Sequence, residues 1–289
     1  MVVLLILGFA CGPRVPPTVS TDPQMTVSLL PEALRGLSGI TVDETGRLWA
    51  VTERTAALVP LRLDGSRVVE DGAPIPVAGW RADTDAESIA WVGPGRFVLG
   101  AEPRWAGERD TDAVVEVTVT GGAAAVTGTR TVAYAPFGVR AEANRGLEGL
   151  ASTPDAVVAA AETVVATAAG RDTPLWRLAP DGTVTTARLR LTSETGKVSD
   201  LAARDEGGVT HLLAIERHYS VSRLVAADVT WGSPEATPAT VVRDLAAVLT
   251  PVPNLEGIVW LADGRVVLLA DNDSGGQAGP VVAVVIAGL

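Results

Sequence analysis

The chain has few of the side chains that disulfide, soft-metal and nucleophilic sites require. Its 289 residues include one cysteine and two histidines, which excludes an internal disulfide and disfavours a zinc site built from nitrogen and sulfur ligands. No Gly-x-Ser-x-Gly sequence occurs, and this argues against a serine hydrolase that carries its nucleophile on that turn. Candidate chemistry therefore has to come from carboxylates and arginines.

Positive charge and aromatic residues are also scarce. Lysine and arginine number 23 against 34 aspartates and glutamates, giving a formal net charge of −11. An acidic chain is a poor partner for nucleic acid or an anionic membrane surface, whereas a cation or a ligand carrying one fits better. Aromatics are 4% of a chain that is 47% hydrophobic, so the core must be aliphatic, with seven tryptophans as large fillers. Thirty glycines and 19 prolines favour strands and turns over helices.

The N-terminal segment has the features of an export signal. An apolar run over residues 1–10 is followed by the only cysteine, Cys11, and by a linker rich in Pro, Thr and Ser up to about residue 23. This arrangement resembles a bacterial lipoprotein signal, in which the cysteine is lipidated. We therefore expect residues 1–24 to be signal and linker, and the protein to be exported and held at the cell surface or in the periplasm through Cys11 alone. A cytoplasmic protein with an apolar tail is the alternative.

One hairpin pattern occurs five times along the remaining chain. A short apolar strand opens near a polar residue, reaches a turn, and returns as an apolar strand that ends on a carboxylate. The copies, called repeats 1 to 5, are LSGITV…GRLWAVTER, AESIAW…GRFVLGAEPR, LEGLAS…DAVVAAAET, VSDLAA…HLLAIERHY and NLEGIVW…VVLLADND. They follow one another at intervals of 49 to 61 residues, close to what a unit of four strands needs.

The repeats predict an all-β, propeller-like fold. We expect one domain over residues 25–289, a β-propeller of five four-stranded blades, with six as the alternative if a divergent copy lies within residues 105–145. Repeat 5 ends without a fourth strand. Residues 25–30 read as a strand that can pair with it and close the ring, which removes the exposed edges of the sheet. A β-sandwich is the rival architecture, but it does not need so regular a repeat.

Polar residues at the open ends of the hairpins are expected on one rim of the ring. Antiparallel partners share a constant sum of residue numbers, and half of each sum falls on a turn. The predicted pairs are Ser38 with Glu53, Glu87 with Glu102, Glu148 with Glu162, Asp200 with Glu216, and Glu256 with Asp271. So many carboxylates in one channel mouth repel one another unless a cation neutralises them or some stay protonated. Calcium suits such a site because it takes six to eight oxygen ligands.

The candidate site residues follow from this rim. The expected metal ligands are Glu87, Glu148, Asp200, Glu216, Glu256, Asp271 and Asp273. Asp83 and Asp85, just before Glu87, either add ligands or end a turn. Arginines beside the acids are expected to hold an anionic substrate, namely Arg54, Arg104, Arg145 and Arg217. Glu148, Glu256 and His218 are candidates for acid or base catalysis. For each residue the alternative is structural: a carboxylate can accept backbone N–H groups, and an arginine can bridge two repeats.

The motifs NLEGIVW…LLADND, RGLEGLAS…VVAAAE and VSDLAA…LLAIERHYS resemble the bacterial phytase-like family called "esterase-like activity of phytase". The resemblance covers about residues 34–286. It implies an exported or lipid-anchored propeller that hydrolyses phosphate esters.

Three functions remain open at this point. The first is metal-assisted hydrolysis of a small anionic phosphate ester, with calcium polarising the phosphoryl group. The second is hydrolysis of a lactone or another carboxyl ester, as in gluconolactonase-like propellers. The third is non-enzymatic binding of a ligand or protein on the acidic face. Fold alone does not choose among them. We expect a monomer in each case.

Overall fold

The computed structural model describes residues 17–104, 107–271 and 281–289. Within these ranges the regular structure is β, apart from two 3₁₀ turns at Glu32–Leu34 and Ala135–Phe137, so the predicted all-β class is confirmed. None of the helical segments described is long and apolar enough to cross a membrane. Residues 1–16 of the predicted signal and linker segment, which include Cys11, and the predicted ligand Asp273 lie outside the described residues.

Repeats 1 and 2 share one continuous sheet. Two strands precede them, β1 (Val19–Ser20) and β2 (Met25–Leu30). Repeat 1 contains β3 (Leu37–Val42), β4 (Leu48–Thr52), β5 (Ala57–Asp64), β6 (Arg67–Glu70) and β7 (Ile75–Ala78). Repeat 2 contains β8 (Thr84–Gly93), β9 (Arg96–Pro103), β10 (Thr111–Thr120) and β11 (Ala123–Ala133). The strands of repeat 1 join those of repeat 2 where β7 pairs in parallel with β11. The expected fourth strand of repeat 1, predicted as one segment from Arg67 to Val77, is divided into β6 and β7.

Repeats 3 to 5 form three further sheets. Repeat 3 contains β12 (Leu147–Thr153), β13 (Ala156–Ala161), β14 (Val165–Thr167), β15 (Gly170–Leu178) and β16 (Val184–Arg190). Repeat 4 contains β17 (Lys197–Glu206), β18 (Val209–His218), β19 (Val221–Val229), β20 (Thr237–Pro238), β21 (Thr240–Asp244) and β22 (Leu249–Thr250). Repeat 5 contains β23 (Asn254–Trp260), β24 (Val266–Asp271) and β25 (Val281–Ile286). Consecutive main strands of each repeat are antiparallel.

The N-terminal strand closes the structure. As predicted, β2 pairs with β25, from Met25 opposite Ile286 to Leu30 opposite Val281. The first strands of the repeats contact one another in the cyclic order β3, β8, β12, β17, β23 and back to β3. The short β1 pairs with β22, and the Thr18 hydroxyl donates to the Pro251 carbonyl at 3.1 Å. The chain therefore returns to its starting sheet and leaves its first strands around a common axis.

Each pair of neighbouring repeats encloses its own apolar cluster. Aliphatic side chains dominate all five clusters, as the composition predicts. Aromatic rings fill the larger spaces. Trp49 and Phe97 meet edge to face between repeats 1 and 2, with ring centroids 5.2 Å apart, and Trp176 contacts Tyr134 in the same way between repeats 2 and 3. The packing of sheet on sheet holds the first strands in their ring.

The first strands approach one another so closely that glycine is required. Gly39 has φ +64°, and a Cβ placed on it would lie 2.7 Å from the Ser88 Cα of the next repeat. A Cβ on Gly257 would lie 3.1 Å from the Gly39 carbonyl carbon, on the other side of β3. Real Cβ atoms do not tolerate such contacts with rigid backbone. Glycine at these positions thus sets the distance between repeats.

We expect Gly39→Ala to lower the free energy of unfolding by roughly 3 kcal/mol, since a positive φ costs about 1–2 kcal/mol and overpacking against backbone about 1–3 kcal/mol. Gly46→Ala is the matched control. Gly46 also has a positive φ, +84°, but nothing lies within 4 Å of a Cβ there, so only the first cost applies. Urea unfolding of both variants measures the difference, and equal losses would contradict the close contact between repeats.

Candidate functional site

A β-bulge near the start of each first strand shapes the site. The pairing register skips one residue in every repeat, and the skipped residues are Gly39, Glu87, Glu148, Ser199 and Glu256. A bulged residue is unpaired in the ladder, and the bulge re-aims its side chain. In repeats 2, 3 and 5 it is a glutamate, and all three glutamates line one cavity at the mouth of the ring.

The bulges shift the strand pairing away from the predicted pairs. The prediction assumed that paired residues share a constant sum of residue numbers. The extra residue of the bulge breaks this relation, so the predicted partners do not face each other. Glu102 faces Asp85 rather than Glu87, and Asp271 faces Asn254 rather than Glu256. In repeat 4 the error changes the chemistry. Val198 pairs with Glu216, which places Ser199 where repeats 2, 3 and 5 carry a glutamate.

Asp200 and Glu216 therefore do not line the cavity as predicted. Asp200 is buried, and its carboxylate accepts the N–H of Leu201 at 2.8 Å and of Ile258, in the next repeat, at 2.7 Å. Burial raises the pKa of Asp200 well above its usual range. Glu216 is also buried and accepts the backbone N–H groups of Thr192 and Ser193 at 3.0 and 2.9 Å. Both carboxylates hold backbone in place, which is the structural alternative for each.

The cavity has a volume of about 680 Å³ and is strongly acidic. Its carboxylates are Glu53, Glu87, Glu102, Glu148, Glu162, Glu256 and Asp271. Its basic side chains are Arg54, Lys197 and Arg217, with His218 also at the wall. Seven carboxylates thus face three permanent positive charges among the described lining residues. The prediction that the hairpin ends gather on one rim is confirmed for all the predicted pairs except that of repeat 4.

Two of the four predicted substrate-binding arginines lie elsewhere. Arg104 pairs with Asp85 and donates Nη2 to the Arg54 carbonyl at 2.7 Å, so it braces repeat 1 against repeat 2. Arg145 pairs with Glu142 at the surface. Neither is among the lining residues of the cavity, whereas Arg54 and Arg217 are.

Arg217 and Lys197 place positive charge inside the cavity. Arg217 pairs with Glu256, whose Oε1 also accepts from Asn254 Nδ2 at 2.8 Å. Lys197 Nζ lies 3.1 Å from Glu162 Oε1. Lys197 was missed from the sequence, although it occupies the position of Asp85 and Asn254, two residues before the bulged residue. Aligning the repeats on the bulge would have found it.

Three carboxylates come close enough to surround one cation. Oxygen atoms of Glu53, Asp85 and Glu87 all lie within 4.8 Å of one another, where repeat 1 meets repeat 2. Ser38 lies beside them, and its hydroxyl donates to the Glu87 carbonyl at 2.6 Å. Asp85, whose role the sequence left open, is thus a member of this group.

Burial and mutual repulsion favour the protonated forms of the glutamates. Burial raises the pKa of Glu87 and of Glu148 well above the usual range, and the surrounding carboxylates raise both further. Burial likewise raises the pKa of Glu256 to about 7 in spite of Arg217, and that of Glu102 to about 7 in spite of Arg109. Without a bound cation, protons on these glutamates therefore offset part of the negative charge of the cavity.

His218 lies on the apolar side of the cavity. Its ring meets the exposed Tyr219 ring edge to face with centroids 4.8 Å apart, and Val221, Val252 and Pro253 line the same wall. Ser222, buried at 4% exposure, also lines it, and its Oγ has no hydrogen-bond partner among the described residues. A ligand in this cavity would meet acidic groups on one side and an aromatic and aliphatic surface on the other.

The chain is similar to solved structures at low sequence identity. A luciferin-regenerating enzyme aligns with a TM-score of 0.51 at 14% identity, covering 92% of this chain and 96% of that one. The PQQ-bound aldose sugar dehydrogenase from Streptomyces coelicolor aligns with a TM-score of 0.48 at 12% identity, covering 91% and 98%. No curated protein matches the chain. At these identities the likeness concerns the propeller-like fold alone.

A family model assigns the chain directly. The model described as "Phytase-like: Esterase-like activity of phytase" matches residues 32–274, which contain the hairpin motif of all five repeats and every described acidic residue of the cavity. The protein therefore belongs to the phytase-like family named for the esterase-like activity of phytase.

Proposed function

We propose that the protein is a calcium-dependent phosphoric ester hydrolase that works at the acidic mouth of a five-bladed propeller. The observation that supports this most is the charge of the cavity, seven carboxylates against three basic side chains. An anionic ester would be repelled by such a surface unless a cation lay between them. The family membership supports the reaction class, and the five apolar clusters between repeats support the blade number.

The carboxylates of Glu53, Asp85 and Glu87 would hold the cation. The fit rests on donor chemistry: the group offers oxygen atoms alone, which suit a hard cation such as calcium. The raised pKa of Glu87 also fits, because a cation takes over the charge compensation that protons otherwise provide. When bound, calcium polarises a phosphoryl group and lowers the pKa of a bound water.

The protein's own residues would bind the ester and move protons. Arg54 and Arg217 line the cavity and can donate to phosphoryl oxygens. Burial raises the pKa of Glu148 and so favours its protonated form, from which it can donate a proton to the leaving oxygen. Glu256, with a pKa of about 7, can accept one from the attacking water. His218 is placed to contact the leaving group from the apolar wall. We include export and anchoring through Cys11, and a monomeric state, in this proposal.

Calcium is expected to stabilise the protein against unfolding. A ligand at 100 times its dissociation constant adds about 2.7 kcal/mol, and Glu87→Gln should abolish most of this gain because it removes a charge from the group of three. Glu235→Gln is the control, since Glu235 is exposed and outside the cavity. Thermal unfolding with and without calcium measures both. A calcium response that Glu87→Gln leaves intact would refute the assigned ligands.

Turnover separates the candidate functions. Calcium-dependent release of phosphate from phytate or p-nitrophenyl phosphate, reduced in Glu148→Gln, is the expected result. A lactone in the same assay tests the second candidate, which the side chains of Asn144 and Asn254 at the cavity wall favour, since amide oxygens can join carboxylates around a metal that polarises a carbonyl group. Calcium binding with no turnover of either ester class would leave a binding protein and overturn the hydrolase.

A further inference from the structure

A second cavity lies at the other end of the ring, and its chemistry differs from that of the acidic mouth. Three or four residues beyond its bulge, about 10–13 Å away at the usual rise per residue, each first strand has a residue near this end of the ring. These five residues are Val42, Trp91, Ser152, Ala203 and Trp260. Four of the five, all but Ala203, line a cavity of about 710 Å³. Trp260, Val42 and Trp91 come from three strands that are neighbours in the ring, β23, β3 and β8.

The two tryptophans at this mouth differ from the other described tryptophans in their hydrogen bonds. The indole N–H groups of Trp49, Trp80, Trp176 and Trp231 all donate to protein acceptors at 2.9 to 3.1 Å. Within the described part of the chain, Trp91 and Trp260 donate to none. Both are half-buried in the cavity wall. Neither N–H is among the fully buried polar atoms, so both donors are open to the cavity and available to a ligand.

Several charged side chains around the cavity already have a partner. Arg204 lies over the Trp260 ring, 4.0 Å from its centroid. Arg130 Nε lies 3.3 Å from Glu116 Oε1, and Asp155 pairs with Arg177 at 2.6 Å. The acidic mouth by contrast has a clear excess of one sign. In the second cavity four carboxylates and three arginines nearly balance among the described lining residues, so a ligand meets little net charge.

Small hydroxyl side chains complete the wall. Thr118, Thr127, Ser152 and Thr153 line the cavity together with the two indoles. Hydroxyls both donate and accept, so they suit a ligand that carries several hydroxyl groups. The volume lies within the range of small-molecule sites.

We propose that this second cavity binds a neutral sugar ring. The apolar C–H face of the sugar packs on the free face of an indole, and its hydroxyls accept from the indole N–H groups and exchange hydrogen bonds with Ser152 and the threonines. The site is separate from the proposed ester chemistry, because it lies at the opposite mouth and uses none of the acidic residues.

Glucose, maltose and cellobiose are the probes for this site. Saturation-transfer NMR detects which of them binds, and quenching of tryptophan fluorescence gives the affinity. Trp91→Leu and Trp260→Leu are each expected to weaken binding at least 10-fold. Trp91→Phe keeps a ring but lacks the N–H, so it should fall between the parent protein and Trp91→Leu. Trp80→Phe, whose N–H donates to the Thr84 carbonyl away from this cavity, is the control. Melting temperatures establish that each variant is folded.

The outcomes are distinct from those of the calcium experiments. Binding that is lost in the two leucine variants, kept in Trp80→Phe and kept in Glu87→Gln supports the site. Binding that survives both leucine variants, or that Glu87→Gln abolishes, overturns it by placing the sugar elsewhere. No binding of any of the three sugars at about 10 mM, ten times a weak dissociation constant of about 1 mM, also overturns it.

Discussion

Raising the pH from about 4.5 to about 7 in calcium-free buffer is expected to lower the free energy of unfolding steeply. Burial raises the pKa of Glu102 and Glu256 from 4.5 to about 7. In this window the unfolded chain releases protons that the folded protein still holds, so the stability present below pH 4.5 is lost as the pH rises. One pKa unit corresponds to about 1.4 kcal/mol, and each of the two groups therefore contributes on the order of 3 kcal/mol. Glu87 and Glu148, with pKa values raised well above the usual range, extend the loss to higher pH.

Calcium should flatten this dependence. A bound cation favours the ionised carboxylates, so the folded protein no longer needs the protons. Urea unfolding at pH 5, 6 and 7, with EDTA or with calcium, gives the two curves to compare. Carboxylates with a lowered pKa, such as Asp83 and Asp155, titrate below pH 4. They therefore do not contribute to the change in stability between pH 4.5 and 7. Equal slopes with and without calcium would mean that no cation binds among the glutamates, and a flat curve in EDTA would mean that the glutamates are not crowded.

The hairpins and the ring closure could be predicted because they are local or periodic. Turn pairs such as Asp263 and Gly264 mark each hairpin, and the missing strand of repeat 5 had only one unassigned apolar segment to complete it, β2. The bulges could not be predicted in the same way. One extra residue in a strand changes neither its composition nor its apolar character. Its consequence is nevertheless large. In repeat 4 the bulged position is taken by Ser199 and not by Asp200, and Asp200, a predicted metal ligand, accepts backbone N–H groups instead.

The partners of individual charged side chains were also beyond the sequence. Arg104 and Arg145 both follow the rule of lying beside an acidic motif, yet each pairs with a carboxylate outside the cavity. Nothing in the sequence around Lys197 marks it as a cavity residue. Only the structure places its Nζ 3.1 Å from Glu162 Oε1. Arg109 lies in a loop that belongs to no repeat motif. Its partners become visible only when repeats 2 and 3 pack together.

Arg109→Met is expected to lower the free energy of unfolding by about 3–5 kcal/mol, the usual cost of removing one partner from a buried ion pair. Arg109 Nη2 donates to Glu102 Oε1 at 2.6 Å, and its Nε pairs with Asp112. Both carboxylates are almost fully buried. Without the guanidinium they are left as neighbouring buried charges, and Glu102 must take up a proton.

The loss should reach the acidic cavity, since the same carboxylates position the start of β12. Glu102 accepts from the Gly146 N–H at 2.6 Å, and Asp112 accepts from the Leu147 N–H at 3.2 Å and the Tyr134 hydroxyl at 2.5 Å. Glu148 follows directly, so disorder here displaces a glutamate of the cavity and should weaken the calcium response. Arg140→Met is the control, because Arg140 pairs with Glu108 and Asp110 at the surface, where a pair contributes about 0–1 kcal/mol. Pairing Arg109→Met with Glu102→Gln removes one of the two stranded charges and should recover part of the loss. If the single variants at 109 and 140 unfold at the same urea concentration, the buried network is not what joins repeats 2 and 3.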